Sequence, residues 1–379
     1  MYVNYDPNAF LKLAWFFTFI CFVIGMFCRK YPLRKLGGIG QPLPNPLCFI
    51  ISVLAYVPFA GLRTNSGDTV YYIHDFELAK PDGKFDFVLG GGNLYSIFFE
   101  LIKETVDDYH WLIFITSVIS FVPVLWLLYK YSHPFELSVF LFMATGYFGM
   151  GMNGIRQYCA AGILMLGTRF LFSPKKSSFL KYAVIVLVAW LFHKSAIIMI
   201  PIFFFVRRKA WKPSSFMLIF LSAVALSIFD MILPSFLSVL EETSYGHYSQ
   251  DGWFTSGNES GSSFLRVVVA FVPIAIAYFS RARMRALGHI GDILVNLCCV
   301  HVAFYIISMY NWIFARFAIY TSAYFIILMS WVTYNAVSKK DRTLYYVLCL
   351  AAFYYYSTQL AYALVDYRSD IFFPNLKFS

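Results

Sequence analysis

Asn153-Gly154-Ile155-Arg156-Gln157 and His193-Lys194-Ser195 interrupt otherwise apolar stretches of the sequence. An arginine and a histidine that reach the same face of a membrane are costly there without partners, so such residues read as functional by default. The chemistry suited to them, with further cations nearby, is the handling of an anionic head group. Arginine presents a fixed fork of donors to phosphate oxygens and stays charged at any accessible pH. Histidine adds acid, base or ligand chemistry near neutrality. Whether the two clusters share a face depends on the segments that carry them.

Of 379 residues, 60% are hydrophobic and 13% charged, with a mean hydropathy of +0.65. A soluble domain carries about a quarter charged residues, so the composition excludes one. Apolar runs of roughly 16 to 22 residues recur along the chain, the length that crosses about 30 Å of hydrocarbon as a helix. A barrel would show alternating segments of about ten residues instead. The expected fold is an all-α polytopic membrane protein. Spans fall near residues 10–28, 47–62, 111–130, 135–152, 155–172, 178–192, 194–206, 214–233, 263–280, 290–310, 312–334 and 343–365, about twelve transmembrane helices by window length. The sixth and seventh are short for full crossings, which leaves tilted, kinked or re-entrant segments open and a count different by an even number.

Basic residues set the orientation. Arg29, Lys30, Arg34 and Lys35, then Lys130, then Arg169, Lys175 and Lys176 all fall in odd-numbered gaps. So do Arg207, Arg208, Lys209 and Lys212, then Arg281, Arg283 and Arg285, and finally Lys339, Lys340 and Arg342. The positive-inside rule makes these gaps cytoplasmic and puts both termini on the outer, periplasmic side. The net charge of +10 is thus mainly topology, and its dispersal among short loops argues against nucleic-acid binding. The outer gaps are acidic. Residues 63–110 carry Asp68, Asp75, Glu77, Asp82, Asp86, Glu100, Glu104, Asp107 and Asp108, and residues 234–262 carry Glu241, Glu242, Asp251 and Glu259 without Lys or Arg. Asn93 to Lys103 has an amphipathic pattern suited to the membrane surface.

No internal repeat, low-complexity linker or charge block marks a second unit, so residues 1–379 are read as one transmembrane domain with two outer excursions. The opening ten residues lack the positive region of a signal peptide, which makes the first apolar run a retained span, and no lipid-anchor motif is present. Cys21, Cys28, Cys48, Cys159, Cys298, Cys299 and Cys349 sit in or beside apolar runs without metal-site spacing and read as small packing residues. Aromatics make up 21% of the chain and belong mostly to interfacial belts and helix packing.

With this topology the fifth span starts outside at Arg156 and the sixth returns to emerge at His193. Arg63 and Asp68 fall just outside the second span, and Arg316 near the outer end of the eleventh. These residues could line one outward-facing cavity. Bland readings stand beside the functional ones. Arg156 and Arg316 could be snorkelling anchors, although positive charge is disfavoured at outer ends. His193 could solvate a helix junction. Asp68, in Ser66-Gly67-Asp68-Thr69, reads equally as the N-cap of an outer helix. Lys194 and Ser195 carry weaker signals, and His301, mid-span, reads as a satisfied core histidine. No H-E-x-x-H, outer D-x-D or paired histidines at helical spacing occur, so no metal ligand and no cofactor are expected. G-x-S-x-G and Walker signatures are likewise missing from the sequence.

The order Arg63-x4-Asp68-Thr69-x2-Tyr72, Asn153-x2-Arg156-Gln157-x2-Ala160, Phe192-His193-x-Ser195-Ala196 with Pro201 following, and Arg316-x3-Tyr320 resembles the EpsG-like family, related to the Wzy O-antigen polymerases. The resemblance runs from about residue 55 to 335. It implies a GT-C-like, lipid-dependent glycosyltransferase of the bacterial inner membrane. Such an enzyme joins undecaprenyl-pyrophosphate-linked oligosaccharide repeat units into O-antigen, capsule or exopolysaccharide on the periplasmic face. Lipid-linked oligosaccharides are donor and acceptor, and a chain-length regulator is a further partner class. On this resemblance Asp68, His193 and Arg156 are the catalytic candidates, with Asp68 favoured over His193 as base. Arg63, Gln157, Lys194, Arg316, Tyr72 and Asn153 are the substrate-binding and positioning candidates. A ligase using the same carrier fits the same residues. A flippase would need charges deep within spans, and a membrane acyltransferase would need cytoplasmic access for its donor.

Overall fold

The computed structural model describes residues 9–31, 41–80, 90–229, 231, 261–360 and 367–369. Its regular elements are helices, as lipid demands of an open chain, because only a helix satisfies its own backbone groups there. In chain order they are α1 (Ala9–Lys30), α2 (Pro46–Gly61), α3 (Thr69–Leu78), α4 (Asn93–Thr105), α5 (Tyr109–Tyr131), α6 (Phe135–Ala144), α7 (Tyr147–Met150), α8 (Ile155–Leu166) and α9 (Thr168–Leu171). There follow α10 (Ser178–Phe192), α11 (Met199–Val206), α12 (Pro213–Ser227), α13 (Phe264–Phe279), α14 (Arg281–Met284), α15 (Gly288–Ser308), α16 (Ile319–Asn335) and α17 (Arg342–Thr358).

Each of the twelve apolar segments contains a helix. Leu11–Lys30, Tyr109–Tyr131, Arg281–Ser308 and Trp312–Asn335 are long and apolar enough to cross a membrane, and seven shorter apolar helices accompany them. Several expected spans are broken rather than continuous. The fourth divides into α6 and α7, the fifth into α8 and α9, and the seventh and eleventh open as 3-10 turns at Lys194–Ile198 and Trp312–Ala318. The acidic residues Asp82, Asp86, Glu241, Glu242, Asp251 and Glu259, and basic Arg34 and Lys35, lie outside the described residues.

Local sequence explains where helices start. Asn45 caps α2 through a 3.0 Å bond from the Leu47 amide, ahead of Pro46, and Asp108 caps α5 by accepting the His110 amide at 2.9 Å. Ser263 caps α13 in the same way, and Asn311 caps the Trp312–Ala318 turn. Each such cap contributes about 1 kcal/mol. The amphipathic stretch forms α4, which buries Tyr95 and Ile102. Between α5 and α8, Gly162 sits against the Ile119 carbonyl, where any side chain would collide; small residues at such crossings let membrane helices approach closely.

Polar contacts separate into two ends. At one, Arg29 pairs with Glu136 at 2.9 Å, Lys209 with Asp292 at 3.4 Å, Arg207 donates to the Leu171 carbonyl at 3.2 Å, and Arg283 donates to the Ala336 carbonyl. These residues come from the basic, odd-numbered gaps and their helix ends. At the other end, Arg63 meets Met152, Asp68 meets Gly154, Gln157 meets Arg316, and the Ser262 amide donates to Ser308. Here a C-terminal segment joins in: Arg368 pairs with Asn65 and Tyr367 donates to the Phe59 carbonyl at 2.5 Å. Charge pattern and three-dimensional contacts thus sort the helix ends in the same way.

Candidate functional site

The site is built on the turn between α2 and α3. Arg63 is 2% exposed, and its donors are directed to the protein: Nε to Thr69 Oγ1 at 2.8 Å, Nη1 to the Ala60 carbonyl at 2.5 Å and Ser117 Oγ at 3.0 Å, Nη2 to the Met152 carbonyl at 3.3 Å. Burial lowers its pKa to about 10, opposed by Asp68 and Tyr367, so it remains a cation at neutral pH. Arg63, read from sequence as a substrate-binding candidate, therefore stands beneath the site and fixes α2, α3, α5 and the 151–154 turn to one another. Replacing it with methionine should cost about 3 kcal/mol or more, because the two carbonyls and Ser117 lose their donor in a dry setting. Thermal unfolding of detergent-solubilised protein measures this, and an unchanged transition would refute it.

Asp68 stands at the N-cap position of α3 but makes no side-chain cap bond. Its Oδ2 instead accepts the Gly154 amide at 2.8 Å, across 86 residues of sequence. Gly154 sits at φ +70°, a conformation other residues adopt only under strain, which turns its N–H toward the carboxylate. Asp68 Oδ1 is buried without a hydrogen-bond partner among the described residues. Burial raises the Asp68 pKa above the ordinary carboxylate value, while the Gly154 amide, Arg63 and Arg316 pull it down.

Arg156 begins α8. Its guanidinium lies 5.0 Å from the centre of the Tyr95 ring, its Nε is buried without an acceptor, and among the described residues it forms no ion pair. The 90–92 turn closes over it. Gly92 has φ +94°, and a Cβ there would come within 2.5 Å of Arg156 Nη2, so this position too requires glycine. Tyr72 stands edge-on to Tyr95 at 6.1 Å, within the fields of Asp68 and Arg156, and its hydroxyl pKa is raised chiefly by burial. Asn153 is exposed at the rim, packed under Gly67.

Gln157 and His193 complete the floor. Gln157 Nε2 donates to the Arg316 carbonyl at 2.9 Å and to Ser195 Oγ at 3.3 Å, while its Oε1 has no partner. His193 Nδ1 lies 2.8 Å from Ser195 Oγ and 3.3 Å from Tyr320 OH, and these two hydroxyls are 2.6 Å apart. That triangle fixes the imidazole and leaves Nε2 without a protein partner among the described residues. Burial first, then Arg156, Arg316 and Lys194, lower the His193 pKa to about 4, so the ring is neutral at pH 7. The Arg316 guanidinium covers Trp312 at 4.9 Å, and the Lys194 stem packs beside Gly91.

The result is one cluster in which Arg156, Arg316 and Lys194 surround His193, and Arg63 and Arg316 flank Asp68. A cavity of about 390 Å³ between α3 and α4 reaches it, lined by Tyr72, Tyr95, Lys80, Lys103, Glu100 and Arg156. Chemically, the cluster can attract a polyanion and present one carboxylate to it. Among the described residues no three His, Cys, Asp or Glu side chains gather as a metal site would need. His301 is buried and bonded to Thr321 Oγ1 at 2.9 Å, in keeping with a core role.

A family model described as the EpsG family matches residues 47–373. The chain belongs to the EpsG family. No curated protein and no solved structure matches it. The matched stretch contains every residue of the cluster and extends beyond the 55–335 expected from sequence. It takes in α17 and the Tyr367–Ser369 segment, whose contacts with Phe59, Leu62 and Asn65 support the turn holding Arg63. Sequence reasoning assigned no role to Tyr95, to Tyr320, though it stands in Arg316-x3-Tyr320, or to Arg266. Arg266 carried the signal that singled out Arg156 and Arg316, a positive charge near a span end away from the basic gaps.

Proposed function

We propose that this protein is an inner-membrane glycosyltransferase that polymerises undecaprenyl-pyrophosphate-linked oligosaccharide repeat units on the periplasmic face. One observation carries the reading. Three buried polar atoms on neighbouring residues, Asp68 Oδ1, Arg156 Nε and Gln157 Oε1, lack partners among the described residues amid a surplus of positive charge. Each buried orphan costs about 1–3 kcal/mol in a folded chain, so a cluster of them is expected where a ligand supplies the missing partners. Arg156 Nε, the one donor among the three, suits a phosphate oxygen, the Asp68 and Gln157 acceptors suit sugar hydroxyls, and family membership supports exopolysaccharide polymerisation.

In this reading a hydroxyl of the acceptor unit attacks the anomeric carbon of the donor. The new C–O bond forms as the bond from that carbon to the pyrophosphate breaks, and the hydroxyl proton passes to Asp68. The carrier pyrophosphate leaves with the negative charge that Arg156 and Arg316 stabilise. With His193 Nδ1 accepting from Ser195 or Tyr320, its ring proton sits on Nε2 and donates to the pyrophosphate. Lys194 positions the same group, while Gln157 Oε1, Tyr72 and Asn153 border the sugar. Arg63 acts through the loop it holds.

Twelve crossings in a GT-C-like arrangement, with both termini periplasmic, accommodate the alternation of helix ends described above. The test is side-specific labelling. Asn153→Cys should react with an impermeant maleimide in intact cells, and Lys340→Cys only after permeabilisation, both positions being exposed and the native cysteines buried. The opposite pattern, or both residues on one side, would overturn the topology and with it the periplasmic site.

A further inference from the structure

Outside the cluster, one face of α13 changes character along its length. Arg266, Val269, Val272 and Ile276 recur at helical spacing, with the arginine near the end that faces the candidate site and apolar residues below it. Val269, Val272 and Ile276 form one wall of an apolar groove of about 230 Å³, whose other walls are Met329 and Val332 of α16 and the Leu348–Ala352 face of α17. From Arg266 to Ile276 the stripe is about 15 Å long at the rise of an α-helix.

The groove does not end blindly. Val269 and Tyr356 line both it and a narrow cavity of about 40 Å³ with mixed polar and apolar walls, which Arg266, Tyr158, His301, Tyr305 and Ala315 also line. Tyr158 and Ala315 are the chain neighbours of Gln157 and Arg316, and Tyr158 lies within the fields of both Arg266 and Arg316. Arg156, which lines the α3–α4 cavity, and Tyr158, which lines this one, are two residues apart on α8, so the two cavities meet different faces of that helix. A cationic end joined to an apolar groove at membrane depth matches a molecule with a phosphorylated head and a long hydrocarbon tail.

We infer that the α13–α16–α17 groove holds the isoprenoid tail of the lipid-linked donor, with Arg266 binding its diphosphate and handing the leaving group's charge toward Arg316. This rests on the polymerase reading for its substrate and adds to it the path by which that substrate enters. The α3–α4 cavity, polar and open to the outer surface, is left for the acceptor's sugars. Donor and acceptor then approach the cluster from different sides, as a reaction between two lipid-linked molecules requires.

Photocrosslinking with a diazirine-bearing polyprenyl diphosphate, followed by peptide mapping of full-length protein in detergent, tests this. Label is expected on α13 and α17. Ala352→Trp, which fills the groove from its exposed side, and Arg266→Ala should each reduce capture at least tenfold. Leu344→Trp, exposed on the same helix but outside the groove, should leave it intact and shows that a tryptophan on α17 is tolerated. Equal capture by the Ala352→Trp protein, or equal capture of a phosphatidylglycerol probe at the same peptides, would overturn the inference. Capture needs no turnover, so Asp68→Asn protein should label like the wild type. Groove labelling in a protein that makes no polymer would count against the polymerase reading while leaving the groove in place.

Discussion

Asp68→Asn should abolish long-chain glycan, lowering turnover by about 10²–10⁴-fold, the range contributed by a positioned general base. Asparagine keeps the shape and the oxygen that accepts the Gly154 amide, so protein abundance and melting should stay near wild type. The readout is the chain-length ladder together with the rate of repeat-unit coupling in membranes. The pH profile separates a base from a structural carboxylate. Asp68 has its pKa raised by burial, so its basic form is lost as pH falls through a value above that of an ordinary carboxylate. In kcat/KM, which reports the free enzyme, activity should fall on that acid side, without a further limb from the imidazole. His193, lowered to about 4, does not titrate in the ordinary histidine range. In Asp68→Asn the acid limb should vanish from the residual activity, whereas His193→Gln should retain it. A ladder of normal length in Asp68→Asn protein would remove this residue from the chemistry.

Arg156→Ala should be comparably severe, at about 10²–10³-fold in coupling rate, the loss seen when one preorganised donor to a developing anion is removed. Its guanidinium is held over Tyr95 and under Gly92, so it is fixed before substrate arrives and needs little rearrangement to receive phosphate. No carboxylate among the described residues neutralises it, so its removal strands no buried counter-charge and should leave folding intact. Arg156→Lys should recover only part of the rate, because a single ammonium cannot reproduce a two-pronged contact. Repeat units should still reach the outer face and accumulate there unjoined, which distinguishes failed polymerisation from failed export. His193→Ala belongs to the same test. Loss of the imidazole leaves the Ser195–Tyr320 pair without its acceptor and removes a donor from the pyrophosphate, and an unchanged ladder in both variants would exclude this face of the cluster from the mechanism.

Much of this molecule was legible in the sequence because the relevant signals are local. Hydropathy over a window decides that a segment is a membrane helix, and caps such as Asn45, Asp108 and Ser263 fix where several begin. The alternation of basic gaps sorts helix ends into two groups, and that is enough to bring Asp68, Arg156, His193 and Arg316 to one end. Breaks within spans were less legible, since a left-handed glycine at 146 or a 3-10 turn at Trp312–Ala318 barely changes mean hydropathy. What each cluster residue bonds to was not legible. Arg63 and Arg156 look alike as arginines beside helix ends, yet one is directed into carbonyls and hydroxyls of its own fold and the other has no carboxylate partner among the described residues.

The membrane helices and the sorting of their ends into two groups were thus determined by the chain's composition and charge order, properties additive along the sequence. Tertiary packing decided what each polar atom faces. It turned Asp68 from a helix cap into a carboxylate braced by a glycine amide 86 residues away. It locked His193 with Ser195 beside it and Tyr320 from a distant helix, and it set Arg266 in a cavity that adjoins an apolar groove. Hydrogen bonds and desolvation act over a few ångströms of space, and separation along a chain folded into many antiparallel helices carries no record of that distance.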